Sequence, residues 1–424
     1  MHSYHVNTTR RRFLVGTGAL AASAALPNVL FAHTGGSARL VVVILRGALD
    51  GLAAVPPYGD PNYAGLHREL AIAAPGASDG ALAVDNTFGL HPSLTFLHER
   101  YLAGELLVFQ AVASPYRDRS HFDGQNVLEN GLAKPLGSAD GWLNRALAAL
   151  PRGRGAERAV AISQNVPLIL RGDVPVTSKS PQATPDVDED LLARLADLYS
   201  QDDWFSARLS EAVQTEKLAD EGSAADGQAM TAPAGAQPAM ASAPNSTVKL
   251  AAPDRISGVA RMAAALMRSE GGPEVAVIEA SGWDTHANQG GARGALAQRL
   301  TGLDKALRTL ADELGPLWPQ TAVLVVTEFG RTAAMNGTRG TDHGTGGCAF
   351  LAGGAVHGGR VMADWPGLAR TALLDNRDLR PTLDLRSVFK AVLDEHLRVD
   401  AKTLATRIFP DSSGARPLQG LMRA

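Results

Sequence analysis

AVLVVTEFGRTAAMNGTRGTDHGTGG, residues 322–347, is the stretch of the chain that decides the fold. It begins with apolar and β-branched residues that are typical of a buried parallel strand, and this run ends at Glu328 and Phe329. A glycine-rich loop follows and carries Asp342 and His343. Open α/β sheets build their active sites at strand ends of this kind. The stretch therefore predicts an α/β sheet with a candidate site at the carboxyl end of this strand.

The rest of the chain alternates between strand-like and helix-like segments. Short apolar runs predict further strands at residues 39–45, 105–113, 158–163 and 274–280. Helical spacing of apolar residues and helix-start signals predict helices at residues 94–103, 120–130, 254–268 and 296–314. This alternation predicts a central, mostly parallel sheet with helices on both faces.

Composition excludes several classes of protein. Of the 424 residues, 45% are hydrophobic, which is enough for a large core. The net charge is -3, from 40 basic and 43 acidic residues, so we expect no nucleic-acid partner. Cys348 is the only cysteine, which excludes an internal disulfide, a cysteine-built zinc site and an iron–sulfur cluster.

The first residues match a signal for protein export. Residues 9–14, TRRRFL, follow the twin-arginine pattern Ser/Thr-Arg-Arg-x-Phe-Leu, and an apolar region at 14–26 is too short to span a bilayer. We predict a twin-arginine signal peptide over residues 1–32 and export of the folded protein by the twin-arginine translocation machinery. The location would be periplasmic or otherwise extracytoplasmic, with no stable membrane span after processing. Retention of the apolar segment as an anchor is the alternative.

One segment interrupts the α/β pattern. Residues 181–190 are acidic and contain proline, residues 191–217 have a helical pattern, and residues 222–246 are rich in Ala, Pro, Ser and Gly. The pattern on both sides belongs to one α/β scheme. We therefore predict a single domain over residues 33–424 with a flexible insertion at about 180–250.

Acidic and histidine side chains occupy four positions beyond the ends of the predicted strands. They are Asp50, Asp284, His286, Glu328, Asp342 and His343. Because the carboxyl ends of parallel strands share one edge, we expect these side chains to converge there. Carboxylates and imidazoles predict a divalent metal ion, which could be zinc, manganese, calcium or magnesium. Taken singly, each residue has an alternative, such as turn formation, helix capping or a surface loop.

Ser120 is the candidate nucleophile. It begins a predicted helix, where backbone N–H groups favour a bound anion, and a nearby metal would lower the pKa of its hydroxyl. A capping pattern, with an acid three residues later, would explain the same serine. His121 is a candidate proton donor, ligand or surface residue. Arg331 is a candidate anion-binding residue, together with Arg119 and Arg46, unless these arginines pair with neighbouring carboxylates.

The motifs as a set resemble a known bacterial family, the domain of unknown function number 1501. They are the twin-arginine leader, RGALDG at 46–51, LHPSL at 90–94, SHFDGQ at 120–125, GWDTHANQ at 282–289, TEFGRT at 327–332 and GTDHG at 340–344. That family is placed in the alkaline phosphatase and sulfatase superfamily. The resemblance implies an alkaline phosphatase-like α/β fold with metal ions held at the strand ends.

The resemblance also implies roles for individual residues. Asp50 resembles the first-strand aspartate that binds a metal beside the nucleophile, and Ser120 resembles the nucleophile itself. Asp284 and His286 resemble the acid and histidine of the other metal position, although the superfamily usually spaces them more widely.

On the later strand, Glu328 resembles the first member of an Asp-His pair, and His343 resembles the final histidine ligand. Phe329 departs from the pattern, because it stands where the superfamily normally has histidine. The metal nearest the nucleophile would thereby lose a ligand. The alternatives are that Asp342 compensates, that the site holds one metal, or that it holds none.

Two functions follow. The first is an exported, metal-dependent hydrolase that acts on small anionic phosphate or sulfate esters. The second is a non-catalytic extracytoplasmic binding or assembly protein on a degenerate phosphatase scaffold.

Overall fold

A nine-stranded sheet forms the centre of the protein. The computed structural model describes residues 38–151, 158–180 and 252–423. The predicted signal peptide, the helix predicted at 191–217 and most of the predicted insertion lie outside the described residues.

Eleven strands are assigned in the described residues. They are β1 (Arg39–Arg46), β2 (Leu82–Ala83), β3 (Gly89–Leu90), β4 (Leu106–Ala113), β5 (Ala159–Ile162), β6 (Thr177–Lys179), β7 (Val275–Ser281), β8 (Thr321–Thr327), β9 (Gly347–Ala352), β10 (Arg360–Met362) and β11 (Leu383–Asp384). The sheet order is β10-β4-β9-β8-β1-β7-β5-β6, with β11 also paired to β4, while β2 and β3 form a separate pair.

The large sheet is mostly parallel, as predicted. Its one antiparallel member is β9, which runs against both β8 and β4. β9 begins directly after the glycine-rich loop, so its amino end lies at the edge where β1, β7 and β8 have their carboxyl ends. This reversal brings His343 to the same edge as the residues that follow β1, β7 and β8.

Helices cover both faces of the sheet. They are α1 (Gly51–Ala54), α2 (Tyr63–His67), α3 (Thr95–Leu102), α4 (His121–Asn130), α5 (Trp142–Ala149), α6 (Ala252–Arg268), α7 (Ala295–Leu314), α8 (Leu385–Glu395) and α9 (Ala401–Thr403). Short 3₁₀ or π turns lie at Arg68–Leu70, Leu168–Leu170, Gly315–Gln320 and Leu404–Ile408. No helix in the described part of the chain is long and apolar enough to cross a membrane.

The two faces of β1 show how the core is divided. Successive side chains of a strand point to opposite faces. Val41, Val43 and Leu45 belong to the buried cluster that contains the apolar residues of α6 and α7. Leu40, Val42 and Ile44 belong to the cluster that contains those of α5 and α8. β1 is therefore a central strand buried on both faces, as its continuous apolar run predicted.

The predicted elements within the described residues are confirmed, with ends that differ by at most about two residues, which is the usual uncertainty of element boundaries. The prediction did not include β9. Its sequence, GCAFLA, is short and follows directly on the glycine loop, so it gave no separate strand signal.

Asp304 links two helices and provides a test of the packing. Its carboxylate, on α7, accepts hydrogen bonds from the backbone N–H groups of Phe96 (2.9 Å) and Leu97 (3.0 Å) at the start of α3, and from the Thr95 hydroxyl (3.2 Å). We expect Asp304→Ala to lower the free energy of unfolding by about 2–4 kcal/mol, because buried N–H groups lose a charged acceptor. Denaturant unfolding measures this. Asp304→Asn keeps an acceptor oxygen and should lose less; a change below about 0.5 kcal/mol in the alanine variant would contradict the role.

Candidate metal centre

Three loops at the carboxyl edge of the sheet bring histidines and an aspartate together. His121 is the first residue of α4, Asp284 follows β7, and His343 precedes β9. One ligand atom from each of these three residues lies within 4.8 Å of the others. Asp284 is exposed and the two histidines are partly exposed, so the centre is open to solvent.

His286 belongs to the same cluster. Its Nε2 lies 2.9 Å from Nε2 of His343 and 3.0 Å from Oδ1 of Asp284. Nε2 of His343 lies 3.3 Å from the same oxygen, and Nε2 of His121 lies 3.5 Å from Oδ2 of Asp284. Ligands bound tetrahedrally to zinc at about 2.0–2.1 Å are roughly 3.3 Å apart. The spacings among Asp284, His286 and His343 are close to this value, and His121 approaches the other oxygen of Asp284.

Each imidazole is held by its other nitrogen. Nδ1 of His121 lies 2.8 Å from Oε1 of Glu328, Nδ1 of His286 lies 3.2 Å from Oδ1 of Asp342, and Nδ1 of His343 lies 2.9 Å from the carbonyl oxygen of Arg119. These partners are one backbone carbonyl and two carboxylates, and all three groups accept hydrogen bonds. We infer that Nδ1 carries the proton in all three rings, which leaves each Nε2 lone pair directed at the cluster. This is the outer-shell arrangement that metal-binding histidines normally have.

Hydrogen bonds within the cluster leave one ring nitrogen of His121 unsatisfied. Its Nε2 is buried and has no hydrogen-bond partner. The hydrogen bond to Glu328 raises the pKa of His121. Burial and the neighbouring His121 lower the pKa of His343, which favours the neutral, ligand-competent form of that ring. A buried nitrogen without a partner, beside a carboxylate and two more imidazoles, fits a divalent cation.

The buried side chain of Arg331 binds the carboxylate of Asp284. The arginine is 1% exposed. It donates from Nε to the carbonyl of Ala48 (2.7 Å), from Nη1 to that of Thr341 (3.0 Å), and from Nη2 to that of Gly47 (2.8 Å) and to the carboxylate of Asp284. Burial alone raises the pKa of Asp284, but this guanidinium lowers it below the ordinary value. Arg331, predicted as an anion-binding catalytic residue, is thus directed into the protein.

Close backbone contacts keep these loops together. A Cβ on Gly47 would lie 2.6 Å from the backbone nitrogen of Asp284, and Gly47 has a φ of +118°. A Cβ on Gly330 would lie 1.9 Å from the carbonyl oxygen of Gly346. Glycine is therefore required where the β1 loop meets the β7 loop and where β8 meets the glycine-rich loop.

The position of Arg331 predicts a large effect on stability. We expect Arg331→Met to lower the free energy of unfolding by about 3–5 kcal/mol, because several buried carbonyl groups and Asp284 lose their donor. Thermal unfolding of the metal-free protein measures this. Arg331→Lys keeps the charge but loses the planar fork, so its loss should be intermediate. A stable Arg331→Met protein that has lost only ester turnover would instead support the anion-binding role.

A match to a family model covers most of the sequence. The family model described as a protein of unknown function, DUF1501, matches residues 37–408. The chain belongs to the DUF1501 family. A comparison with curated proteins found no match. All the cluster residues lie within the matched range.

Three of the predicted metal ligands of this DUF1501 chain lie outside the cluster, namely Glu328, Asp50 and Asp342. Glu328 is fully buried, and its Oε1 accepts from His121, from Gln125 (3.1 Å) and from the backbone N–H of Gly47 (2.8 Å). Its Oε2 accepts from the Thr327 hydroxyl (2.8 Å). Burial alone raises the pKa of Glu328, but the hydrogen bonds of His121 and the other donors lower it. Glu328 thus supports the ligand His121.

Asp50 is engaged in a separate buried group. Its Oδ1 caps α1 through the N–H groups of Leu52 (3.0 Å) and Ala53 (3.2 Å). Its Oδ2 lies 3.3 Å from Nε2 of His67 and accepts from Nε2 of Gln289 at 2.7 Å. Burial opposes charge on both partners, yet their attraction lowers the pKa of Asp50 and raises that of His67. We infer a charged pair, because Nδ1 of His67 also donates, to the carbonyl of Ala333 (2.9 Å).

Asp342 and Ser120 stand beside the centre. Asp342 accepts from Asn336 (2.9 Å) and from His286, and both hydrogen bonds lower its pKa. It therefore orients His286 rather than completing the shell. Ser120 is the N-cap of α4, since its Oγ accepts from the N–H of Asp123 at 3.5 Å. The capping interpretation is confirmed, and the nucleophilic role stays a prediction.

Phe329 forms an apolar support under the imidazoles. It is 3% exposed, and its ring stacks on His121 with centroids 5.0 Å apart and packs against His343 at 5.3 Å. Gly124 lies so close that a Cβ there would come within 2.9 Å of the Phe329 ring. The Phe329 ring thus restricts the orientation of the His121 imidazole.

The other arginines at this edge pair with acids. Arg46 forms ion pairs with Glu129 (2.9 Å) and Glu279, and Arg119 pairs with Asp378 (2.7 Å) and Asp375 (3.2 Å). The alternative that these arginines pair with carboxylates is therefore confirmed.

Sequence reasoning missed His67 and Gln289. Gln289 lay inside a quoted motif without an assigned role, and His67 had no signal, since it lies on the short helix α2.

Proposed function

We propose that this chain is an exported, metal-dependent hydrolase-like protein that acts on phosphate or sulfate esters, on a scaffold related to alkaline phosphatases and sulfatases. The observation that carries the proposal is the convergence of His121, His286, His343 and Asp284, with the Nε2 of His121 left without a hydrogen-bond partner. The TRRRFL leader supports export by the twin-arginine machinery, which accepts folded proteins with metal already inserted.

The donor set favours some metal ions over others. Three imidazoles and one carboxylate suit zinc or manganese better than calcium or magnesium, which prefer oxygen ligands. Asp50 and Glu328, which a second metal beside the nucleophile would need, have their oxygens hydrogen-bonded to buried donors. We therefore propose one ion per chain.

Ser120 is the proposed nucleophile. Its Oγ would form a bond to the phosphorus or sulfur atom while the bond from that atom to the ester oxygen breaks, and the released alcohol takes up, through water, the proton that the serine loses. A bound ion would supply Lewis-acid stabilisation of the charge that develops on the ester oxygens. Ser120 is the N-cap of α4, and the backbone N–H groups at the start of a helix favour an anion.

The ion pairs that the arginines form with carboxylates favour a second function. Arg46, Arg119 and Arg331 all pair with carboxylates, so none of these three is available for a tetrahedral anion. This observation favours a non-catalytic extracytoplasmic protein that uses the metal centre to bind or assemble with a partner.

Aryl ester hydrolysis decides between the two functions. Protein loaded with zinc or manganese should release nitrophenol from an aryl phosphate or an aryl sulfate, lose this activity with a chelator and regain it when metal is restored. Protein that holds its metal in full but turns over neither ester would support the non-catalytic function.

A further inference from the structure

We infer that Gln289 is a positioning residue of the metal centre, anchored by Asp50 and acting on the ligands through Thr285 and Thr341. The inference rests on the proposed function only in that it takes the four-residue cluster to be a metal site.

The side-chain amide of Gln289 joins two ligand-bearing loops. Its Oε1 accepts hydrogen bonds from the hydroxyl of Thr285 (2.8 Å) and from the hydroxyl of Thr341 (2.9 Å). Thr285 lies between the ligands Asp284 and His286, and Thr341 lies two residues before His343. The N–H of Thr341 also donates to the carbonyl of Thr285 (3.2 Å), so the loops are directly paired. One amide oxygen thus sets the separation of the loops that carry three of the four ligands.

The other end of the amide is fixed to a buried charge. Nε2 of Gln289 donates to Oδ2 of Asp50 at 2.7 Å. Gln289 and Thr341 are fully buried, Asp50 is 1% exposed and Thr285 is 5% exposed. A buried carboxylate that is also held by His67 and two backbone N–H groups of α1 is a rigid anchor.

The hydrogen bonds allow only one orientation of this amide. A carboxylate must face the amide N–H₂, and two hydroxyls that donate must face the amide oxygen. A hydrocarbon side chain of similar size would fill the space but leave Asp50, Thr285 and Thr341 without these partners. The two loops would then no longer share a hydrogen-bond acceptor, although the core stays packed. The loss of such outer-shell groups typically weakens metal binding by about 10–100-fold.

Cobalt titration of the full-length protein tests the inference. Co²⁺ added to metal-free wild type and to Gln289→Leu gives both the affinity and the visible d–d spectrum, which reports the geometry of the ligands. We expect Gln289→Leu to bind cobalt about 10–100-fold more weakly and with altered bands. Gln298→Leu, at an exposed position of α7, is the matched control and should behave as wild type.

The order of effects among variants distinguishes positioning from direct ligation. Asp50→Asn keeps an acceptor for Gln289 and should weaken cobalt binding less than Gln289→Leu does. Thr341→Val removes one of the two hydroxyl contacts with nearly unchanged volume, should weaken binding a few-fold, and serves as the test if Gln289→Leu does not fold. Wild-type cobalt affinity and spectrum in both Gln289→Leu and Thr341→Val would overturn the inference. A greater loss of cobalt affinity in Asp50→Asn than in Gln289→Leu would also overturn it, because Asp50 would then be a ligand. Failure of wild type to bind cobalt would instead overturn the metal centre itself.

Discussion

Replacing His343 with alanine should reduce the affinity for zinc or manganese by more than about 100-fold, because a direct ligand contributes more than the outer-shell groups that cost 10–100-fold. The Nε2 of this ring lies 2.9 Å from that of His286 and 3.3 Å from Asp284, so its loss opens the shell. Competition with a chromophoric chelator, followed by elemental analysis after gel filtration, measures the change.

His357→Ala is the matched control for this experiment. His357 is an exposed histidine outside the cluster, and its loss should leave metal content unchanged. Asp284→Ala should reproduce the His343→Ala result. Metal retained in full by both cluster variants would show that the ion is bound elsewhere.

Replacing Ser120 with alanine should reduce turnover of aryl phosphate or sulfate esters by at least about a thousandfold, because the hydroxyl that attacks the ester is removed. The same change also removes the N-cap of α4, with an expected cost of about 1 kcal/mol. Steady-state kinetics at saturating metal, alongside thermal unfolding, separates the two effects.

Ser120→Asn provides the control for the capping role. Asparagine is as good an N-cap as serine but has no hydroxyl, so this variant should be as stable as wild type and as inactive as Ser120→Ala. Activity in Ser120→Asn close to that of wild type would remove Ser120 from the mechanism and leave it as a cap.

The strands and helices that were predicted have signals that are local in the sequence. The run at 39–45 is continuously apolar, and β1 is buried on both faces; the leucines of 296–314 recur at helical spacing, and α7 buries them. The edge at which the site forms follows from strand direction alone. β9 was missed because an antiparallel strand in the middle of a parallel sheet depends on tertiary pairing.

The division of the acids into ligands and supports could not be predicted from their positions. Asp50, Asp284 and Glu328 all follow strands at the same edge. Which carboxylate faces the cluster depends on neighbours from distant parts of the chain, such as His67 for Asp50 and His121 for Glu328. The same holds for Arg331, whose burial and carbonyl partners decide its role.

The opening stretch, 322–347, contributes to the centre in a different way from the one its pattern suggested. His343 is the member of the stretch that faces the cluster, whereas Glu328 and Asp342 each hold a histidine by its Nδ1. Phe329, the apparent defect, stacks against His121 and so orients a ligand that comes from another loop. All of these residues lie at the carboxyl edge of the sheet.

Elemental analysis of the protein, purified without chelators, tests the central claim most directly. We expect about one equivalent of zinc or manganese per chain, since His121, Asp284 and His343 could hold one ion and His286 lies beside them. Protein that contains no divalent metal, and takes up none on reconstitution, would contradict the metal centre and the hydrolase function proposed on it.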